Sequence, residues 1–433
     1  MSQSTAVKTK AGAPGLLHLD YKLSVNKTRN TEELKKLGSI SDAELPAVTR
    51  ILYTEKDIEA RAYLISLFEE AGLKVRVDAI GNIFARWEGK NPDLPAVATG
   101  SHFDAIPLSG QYDGTVGVLG ALEAIRTLQE SGYEPERSIE ILVFTSEEPT
   151  RFKVGCVGSR MLEGSMDADT ARKLTDDDGT DFDTVRKNAG FTGDLESVKL
   201  SPGYYSYFLE LHTEQGPILE KEGVDVGIVT SIAAPSTMHI TLEGEGGHAG
   251  AVLMPERNDT ACAGAEITLM IENLTKEMGG IDTVATVGIF NNGPGAVNSI
   301  PRSSFLGVDV RDVQADRRDA ILEAIETRVA EICERRGVRG SCTMINKDYP
   351  AHCSEELIFK LETQAKVMGV SSKKMVSRAY HDCLFMAHIV PSAMLFVPCY
   401  KGYSHRPEEY ASPEQIEKGI RVLAGTLRDL TTQ

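Results

Sequence analysis

Ile139-Glu140-Ile141-Leu142-Val143-Phe144-Thr145-Ser146-Glu147-Glu148 is the stretch on which this 433-residue chain turns. Six residues, five of them apolar, are too few for a helix and read as a buried strand. The strand runs straight into two adjacent carboxylates. Neighbouring like charges are costly unless a cation or a proton compensates them. Candidate metal ligands flank the pair: Ser101-His102-Phe103-Asp104 and Gly110-Gln111-Tyr112-Asp113-Gly114 before it, His212 in Leu211-His212-Thr213-Glu214-Gln215-Gly216-Pro217 and His405 in Gly402-Tyr403-Ser404-His405-Arg406-Pro407 after it.

Outward from that strand, elements alternate. Glu55 to Ala71 reads as a helix, Leu73 to Trp87 as a hairpin turning near Gly81-Asn82, and Ala96 to Ala98 as a strand leading into the His102 loop. Val116 to Leu128 is a strongly apolar helix. This βαβ alternation predicts an open α/β sheet with helices on both faces. Such sheets bind ligands just beyond strand carboxyl ends, where His102 and Glu147-Glu148 fall. A second pattern follows: strand Met238 to Glu243, helix Arg257 to Glu277, strands Thr283 to Phe290 and Phe305 to Val310, helix Ala315 to Arg336, strand Ser341 to Asn346. Its β-α-β-β-α-β order predicts a ferredoxin-like unit. Glu355 to Met368 and Pro413 to Leu430 are then helical, and Met394 to Val397 is a strand. Because His405 lies in this last part, the metal-binding domain is expected to be discontinuous, residues 1–232 and 347–433, with 233–346 inserted.

Composition narrows the function classes. A net charge of −17 argues against a general nucleic-acid or anionic-membrane binder. Seven scattered cysteines with no Cys-x-x-Cys pair fit a reducing compartment and no structural zinc knuckle. Residues 1–30 lack the apolar run of a secretory signal, and no run of about 18 apolar residues could span a membrane. The expectation is a cytoplasmic protein, with a short N-terminal organelle address left open.

Carboxylate and imidazole ligands suit Mn, Zn, Co or Ni, and a bridging carboxylate can hold two ions about 3.5–4 Å apart with an activated water. Asp113, between glycines 110 and 114, is the natural bridge. His102 and His212 are assigned to one ion, Glu148 and His405 to the other. Asp104, two residues after His102, is expected to face that ring and set its tautomer. Glu147 is left free as proton acceptor and donor. The set predicts a hydrolase.

Other residues have a local reading beside a functional one. Glycine-flanked His248 can present its ring to a developing oxyanion, or be a loop histidine. Arg311, closing a strand, can fork onto a substrate carboxylate; Asn298, in a Gly/Pro-shaped turn, can display an amide. Either can instead satisfy local backbone. Gln215 shares the His212 loop and is placed for a urea-type group, and His381 can pair with Asp382 in support. His18, His239, His352 and His388 read as structural.

These segments together resemble the amidases of hydantoinase/carbamoylase type, within the dinuclear aminopeptidase-like hydrolases. The likeness runs from about residue 45 to near the end. It rests on Gly100 to Asp104, Gln111 to Gly114, Ser146 to Phe152, Leu211 to Pro217, Gly247 to Gly250 and Asn298 to Pro301. The resemblance implies two divalent ions, usually Mn, with Glu147 as base. It also implies an inserted lid domain that forms a homodimer, in which His248 and Asn298 can reach the partner's site; action in their own chain or in the partner's stays open. Gln215, His248, Asn298 and Arg311 match its substrate-contacting positions, and Tyr380 and His381 join them. Members act on N-carbamoyl amino acids, β-ureidopropionate, allantoate or ureidoglycolate. Ser377 to Asp382, with Tyr380 where relatives usually carry Gly, and Pro398 to His405, with Tyr400, look like the ureidoglycolate branch, as does Ala249 to Pro255. A small anionic ureido substrate is therefore expected.

Overall fold

The computed structural model describes residues 23–432; His18 lies outside them. Ile139–Phe144 is a strand, buried throughout. It pairs in parallel with Ala96–His102, which pairs in parallel with Tyr205–Thr213, and that strand with Ser392–Val397. These four form the middle of a nine-stranded sheet. Their apolar runs follow from burial on both faces. Thr115–Glu130 and Pro413–Leu430 pack on one another and on the parallel strands. The latter helix starts at a capping box, Ser412 with Gln415, and Pro413 occupies its first turn.

The expected hairpin, Lys74–Val77 with Ile83–Trp87, extends the sheet past Ile139–Phe144. Asp78 closes its turn by accepting from the N–H groups of Ile80 and Asn82. At the other side Val226–Ile232 joins Ser392–Val397, Ala351–His352 and Ser372–Ser377. Periodicity does not mark Tyr205–Thr213 or Ser372–Ser377 as strands. Glu210 and His212 interrupt the first apolar run, and Lys373 and Lys374 the other.

A second, four-stranded antiparallel sheet has the spatial order Val284–Gly293, Ser303–Asp312, Ala234–Glu243, Arg339–Lys347. Thr260–Met278 and Ala315–Arg336 pack against it, so one face alternates into a separate core of Met238, Ile240, Leu242, Ile267, Leu306 and Ile321. Element order agrees with the split β-α-β expectation; the strands are longer at their ends. The chain passes between the two sheets at 232–234 and again at 347–351. Among the described residues, no helix is long and apolar enough to cross a membrane.

Candidate metal centre

All five expected ligands converge at the carboxyl ends of the parallel strands. His102 is the last residue of its strand rather than part of the following loop. His212 is the penultimate residue of the next strand, and Glu147 and Glu148 follow the third. Asp113 lies at their centre. Its Oδ1 is 3.5 Å from His102 Nε2 and 3.2 Å from His212 Nε2, and its Oδ2 is 3.3 Å from His405 Nε2. His405 Nε2 is also 3.3 Å from Glu148 Oε1. Two groups of donors could therefore each hold an ion, His102-Asp113-His212 and Asp113-Glu148-His405, sharing Asp113.

The electrostatics favour a cation. Burial opposes charge on His102, yet Glu147, Asp104 and Asp113 outweigh it and raise its pKa well above the ordinary value. His405 is pushed up to about 11 by Asp113 and Glu148. Asp113 is held well below the usual carboxylate range by the three imidazoles, despite burial. Burial drives Glu147 well above its usual value; His102 opposes this, and Glu148, Asp382 and Asp113 add to it. The space is also kept clear. A Cβ on Gly114, which has φ +64°, would lie 2.5 Å from His102 Nε2. Glu148 Oε1 is buried with no donor in hydrogen-bond geometry. The residues present thus fit divalent cations, in donor chemistry and in room.

Backbone strain is concentrated here. Ser146, Gln215 and His405 have φ of 57°, 55° and 58°, in the left-handed region that side chains avoid. Such costs persist where the surroundings over-determine the conformation. The Asp113 loop is fixed separately by Glu409, whose Oε1 accepts from the N–H groups of Tyr112 (2.9 Å) and Asp113 (2.8 Å). Sequence reasoning missed Glu409, although it stands four residues after His405. It also missed Glu210, which lies two residues before His212 and accepts from Ser101 at 2.7 Å.

Several expected roles are relocated. Asp104 Oδ1 lies 3.5 Å from His102 Nδ1, but its carboxylate chiefly accepts from the backbone N–H groups of Glu147 (3.2 Å) and Glu148 (3.1 Å), so it sets the glutamate pair. Gln215 is not free for a ligand through its amide nitrogen, which donates to Asp113 Oδ2 at 2.7 Å. His381 does not pair with Asp382. Its Nε2 meets Ser377 Oγ at 3.0 Å and its ring packs on His212 with centroids 4.5 Å apart. Burial and His212 hold it well below its usual pKa. The Tyr380 hydroxyl donates to Asp348 and accepts from Arg160 instead of facing open space. Arg311 forks onto Asp309 and touches the Arg378 carbonyl. His248 and Asn298 come together on the small pairing of Gly247–His248 with Ser299–Ile300, both exposed. His239 meets Phe305 edge-on, His352 bonds Ser231, and His388 lies near Glu163.

Residues 98–429 match "Peptidase family M20/M25/M40". The chain belongs to this family. Hydrolases of family M20 are metal-dependent, in keeping with the two donor groups around Asp113. The chain is 51% identical over 427 residues to the ureidoglycolate hydrolase of Arabidopsis thaliana, covering 97% of this chain and 90% of that one. Crystal structures of AtUAH in complex with glyoxylate and with (S)-hydroxyglycine each share 50% identity and a TM-score of 0.85, covering 95% of this chain and 99% of theirs. An amidase of the hydantoinase/carbamoylase family from Burkholderia multivorans, 31% identical, has a TM-score of 0.87 over 95% of this chain and 99% of its own. The resemblance drawn from the motifs holds for M20 fold and for C–N hydrolase alike.

Proposed function

We propose that this M20 protein hydrolyses the ureido amide of (S)-ureidoglycolate, releasing ammonia, carbon dioxide and glyoxylate in purine breakdown. The observation that carries this reading is identity of 51% to the Arabidopsis ureidoglycolate hydrolase across 97% of the chain. Of the described residues, 23–232 and 347–432 form the catalytic unit, and 233–346 the lid and homodimer unit. Support for the dimer comes from the outer strand Val284–Gly293, with Ile289 47% and Phe290 36% exposed.

His102, Asp113 and His212 would hold one divalent ion, and Asp113, Glu148 and His405 the other, most readily Mn. Bound there, the ions would polarise the ureido carbonyl and acidify a water beside it. The chain's own groups do the rest. Glu147, buried and drawn toward the protonated form, takes the water's proton as oxygen adds to the carbonyl carbon, then delivers it to the departing nitrogen. Loss of ammonia leaves a carbamate, which sheds carbon dioxide; the remaining (S)-hydroxyglycine collapses to glyoxylate and a second ammonia. His248, from the partner subunit, donates to the developing oxyanion. Arg311, on leaving Asp309, receives the carboxylate beside Asn298, while Gln215 and His381 hold Asp113 and His212 in place and Tyr380 stays with Asp348.

Ammonia release measured side by side on (S)-ureidoglycolate, allantoate and N-carbamoyl-β-alanine, with Mn restored after chelation, tests the proposal. Ureidoglycolate is expected to have the highest kcat/KM. Preference for either rival would replace the substrate and leave the chemistry standing.

A further inference from the structure

Asp348 sits in the returning passage between the two sheets, just after Arg339–Lys347. Nearly every polar atom it has is engaged. Its Oδ1 and Oδ2 accept from the two terminal nitrogens of Arg160 at 2.8 and 2.7 Å, a bidentate fork. Oδ2 also accepts from the Tyr380 hydroxyl (2.8 Å) and the Asn346 side-chain amide (3.3 Å). Arg318, on the helix of the second sheet, donates to its carbonyl. Its N–H points to Pro235 O, 3.4 Å away at the start of strand Ala234–Glu243, just after the outgoing passage. The side chains of Arg160 and Asp348 are only 13% and 11% exposed, so water screens the pair little.

Arg160 belongs to the short helix Val157–Glu163, and the entry to that helix is laced to the glutamate segment. The N–H groups of Cys156, Val157 and Gly158 donate to the carbonyls of Glu147, Ser146 and Thr145 at 2.8–2.9 Å. The Cys156 thiol lies 3.6 Å from Glu147 Oε1. On the other arm, Tyr380 directly precedes His381, whose ring packs on His212. Asp348 therefore meets the second sheet through its backbone N–H and carbonyl, while its carboxylate reaches, through one arginine and one tyrosine, the backbone of the proposed base and the support of a proposed ligand.

We propose that Asp348 is a positioning residue for turnover: through Arg160 it ties the orientation of the second sheet to the backbone that carries Glu147. This rests on Glu147 as base and on 233–346 as lid. A displacement of about 1 Å in a reacting group costs up to a hundred-fold in rate, so a tie of this kind acts on kcat without touching substrate.

Asp348→Asn, Arg160→Gln and the double variant would be compared by turnover, bound metal and backbone hydrogen exchange in the Mn-loaded protein. Each single variant is expected to lower kcat by about ten- to a hundred-fold, with metal content unchanged. Each should also speed exchange in peptides covering 232–235, 346–351 and 145–158. The double variant should be no worse than either single one, since the partners act as one unit. Asp348→Glu should recover most of kcat. Additive losses, or exchange and kcat both at the wild-type level, would overturn the proposal. If Asp348→Asn does not fold, Arg160→Lys carries the test; it keeps the charge and loses the fork, and wild-type exchange and turnover there would be equally fatal. Glu147→Gln separates the layers. Retained turnover in that variant removes the base reading, while exchange still reports on the tie. A dead Glu147→Gln with unaltered exchange in Asp348→Asn removes the tie alone.

Discussion

Two regions that carry candidate site residues obey opposite rules. At the carboxyl ends of the parallel strands, His102, His212 and Asp113 are buried and multiply held. Asp113 alone faces three imidazoles, Gln215 and Ser404, and its N–H is pinned by Glu409. On the second sheet's flank, His248 and Asn298 stand on a pairing two residues long, with Leu253, Met254 and Val297 exposed at 67%, 72% and 105% nearby. Buried polar groups are costly unless partnered, so the centre is organised before any ligand arrives. Exposed groups are satisfied by water and can wait for another surface. In the proposed mechanism the centre carries the bond-breaking, and the flank supplies contacts made only when lid and partner close.

The sharpest way to break that contrast is at its most constrained point. Asp113→Ala should lose bound metal and bring ammonia release below detection. Retention of both ions, measured by elemental analysis after gel filtration, would show that the carboxylate is not shared. Glu147→Gln comes next: kcat should fall by about 10²–10⁴-fold with metal stoichiometry intact, since Glu147 is assigned no ion.

Flank substitutions should separate chemistry from stability. His248→Ala or Asn298→Ala should cost about 10²–10³-fold in kcat yet shift stability by no more than about 0.5 kcal/mol, because both are exposed. Mixing inactive His248→Ala and Glu147→Gln proteins should restore about a quarter of wild-type activity if the flank acts across a two-fold dimer. No recovery after subunit exchange would place His248 in its own site.

The smallest effect concerns acid stability at the passage between sheets. Burial opposes ionisation of Asp348, but Arg160, with help from Tyr380 and Asn346, holds it below the usual carboxylate range. An acid with a depressed folded pKa adds stability that is complete above its unfolded value, and that stability is lost as pH falls through the folded one. Wild-type urea midpoints should therefore fall more steeply below about pH 4 than those of Asp348→Asn. Parallel curves would show that the pair contributes nothing to folding.

Much of this was legible without coordinates, for identifiable reasons. Ile139–Phe144, Ala315–Arg336 and Pro413–Leu430 have the expected bounds because uninterrupted apolar runs or helical periodicity mark them. The five candidate ligand positions were legible because His, Asp and Glu stood in Gly- or Ser-bearing loops or beside strand ends. Tyr205–Thr213 was hidden by Glu210 and His212 within it, the very residues that serve the centre. Glu409 was hidden because its partners, the Tyr112 and Asp113 N–H groups, are nearly 300 positions away.

Tyr380 and Asp104 mark the limit from the other side. The family resemblance made one a substrate contact, and spacing from His102 made the other a tautomer-setting carboxylate. Packing gave the phenol to Asp348 and most of the carboxylate to two backbone N–H groups. Composition, periodicity and short motifs were enough for the α/β class, the strand ends and the donor chemistry, because these depend on neighbours along the chain. The partner of each donor, the left-handed turns at Ser146, Gln215 and His405, and the Asp348 tie came only with the folded arrangement. A hydrogen bond is settled within about 3 Å, and no local pattern encodes which distant segment will supply it.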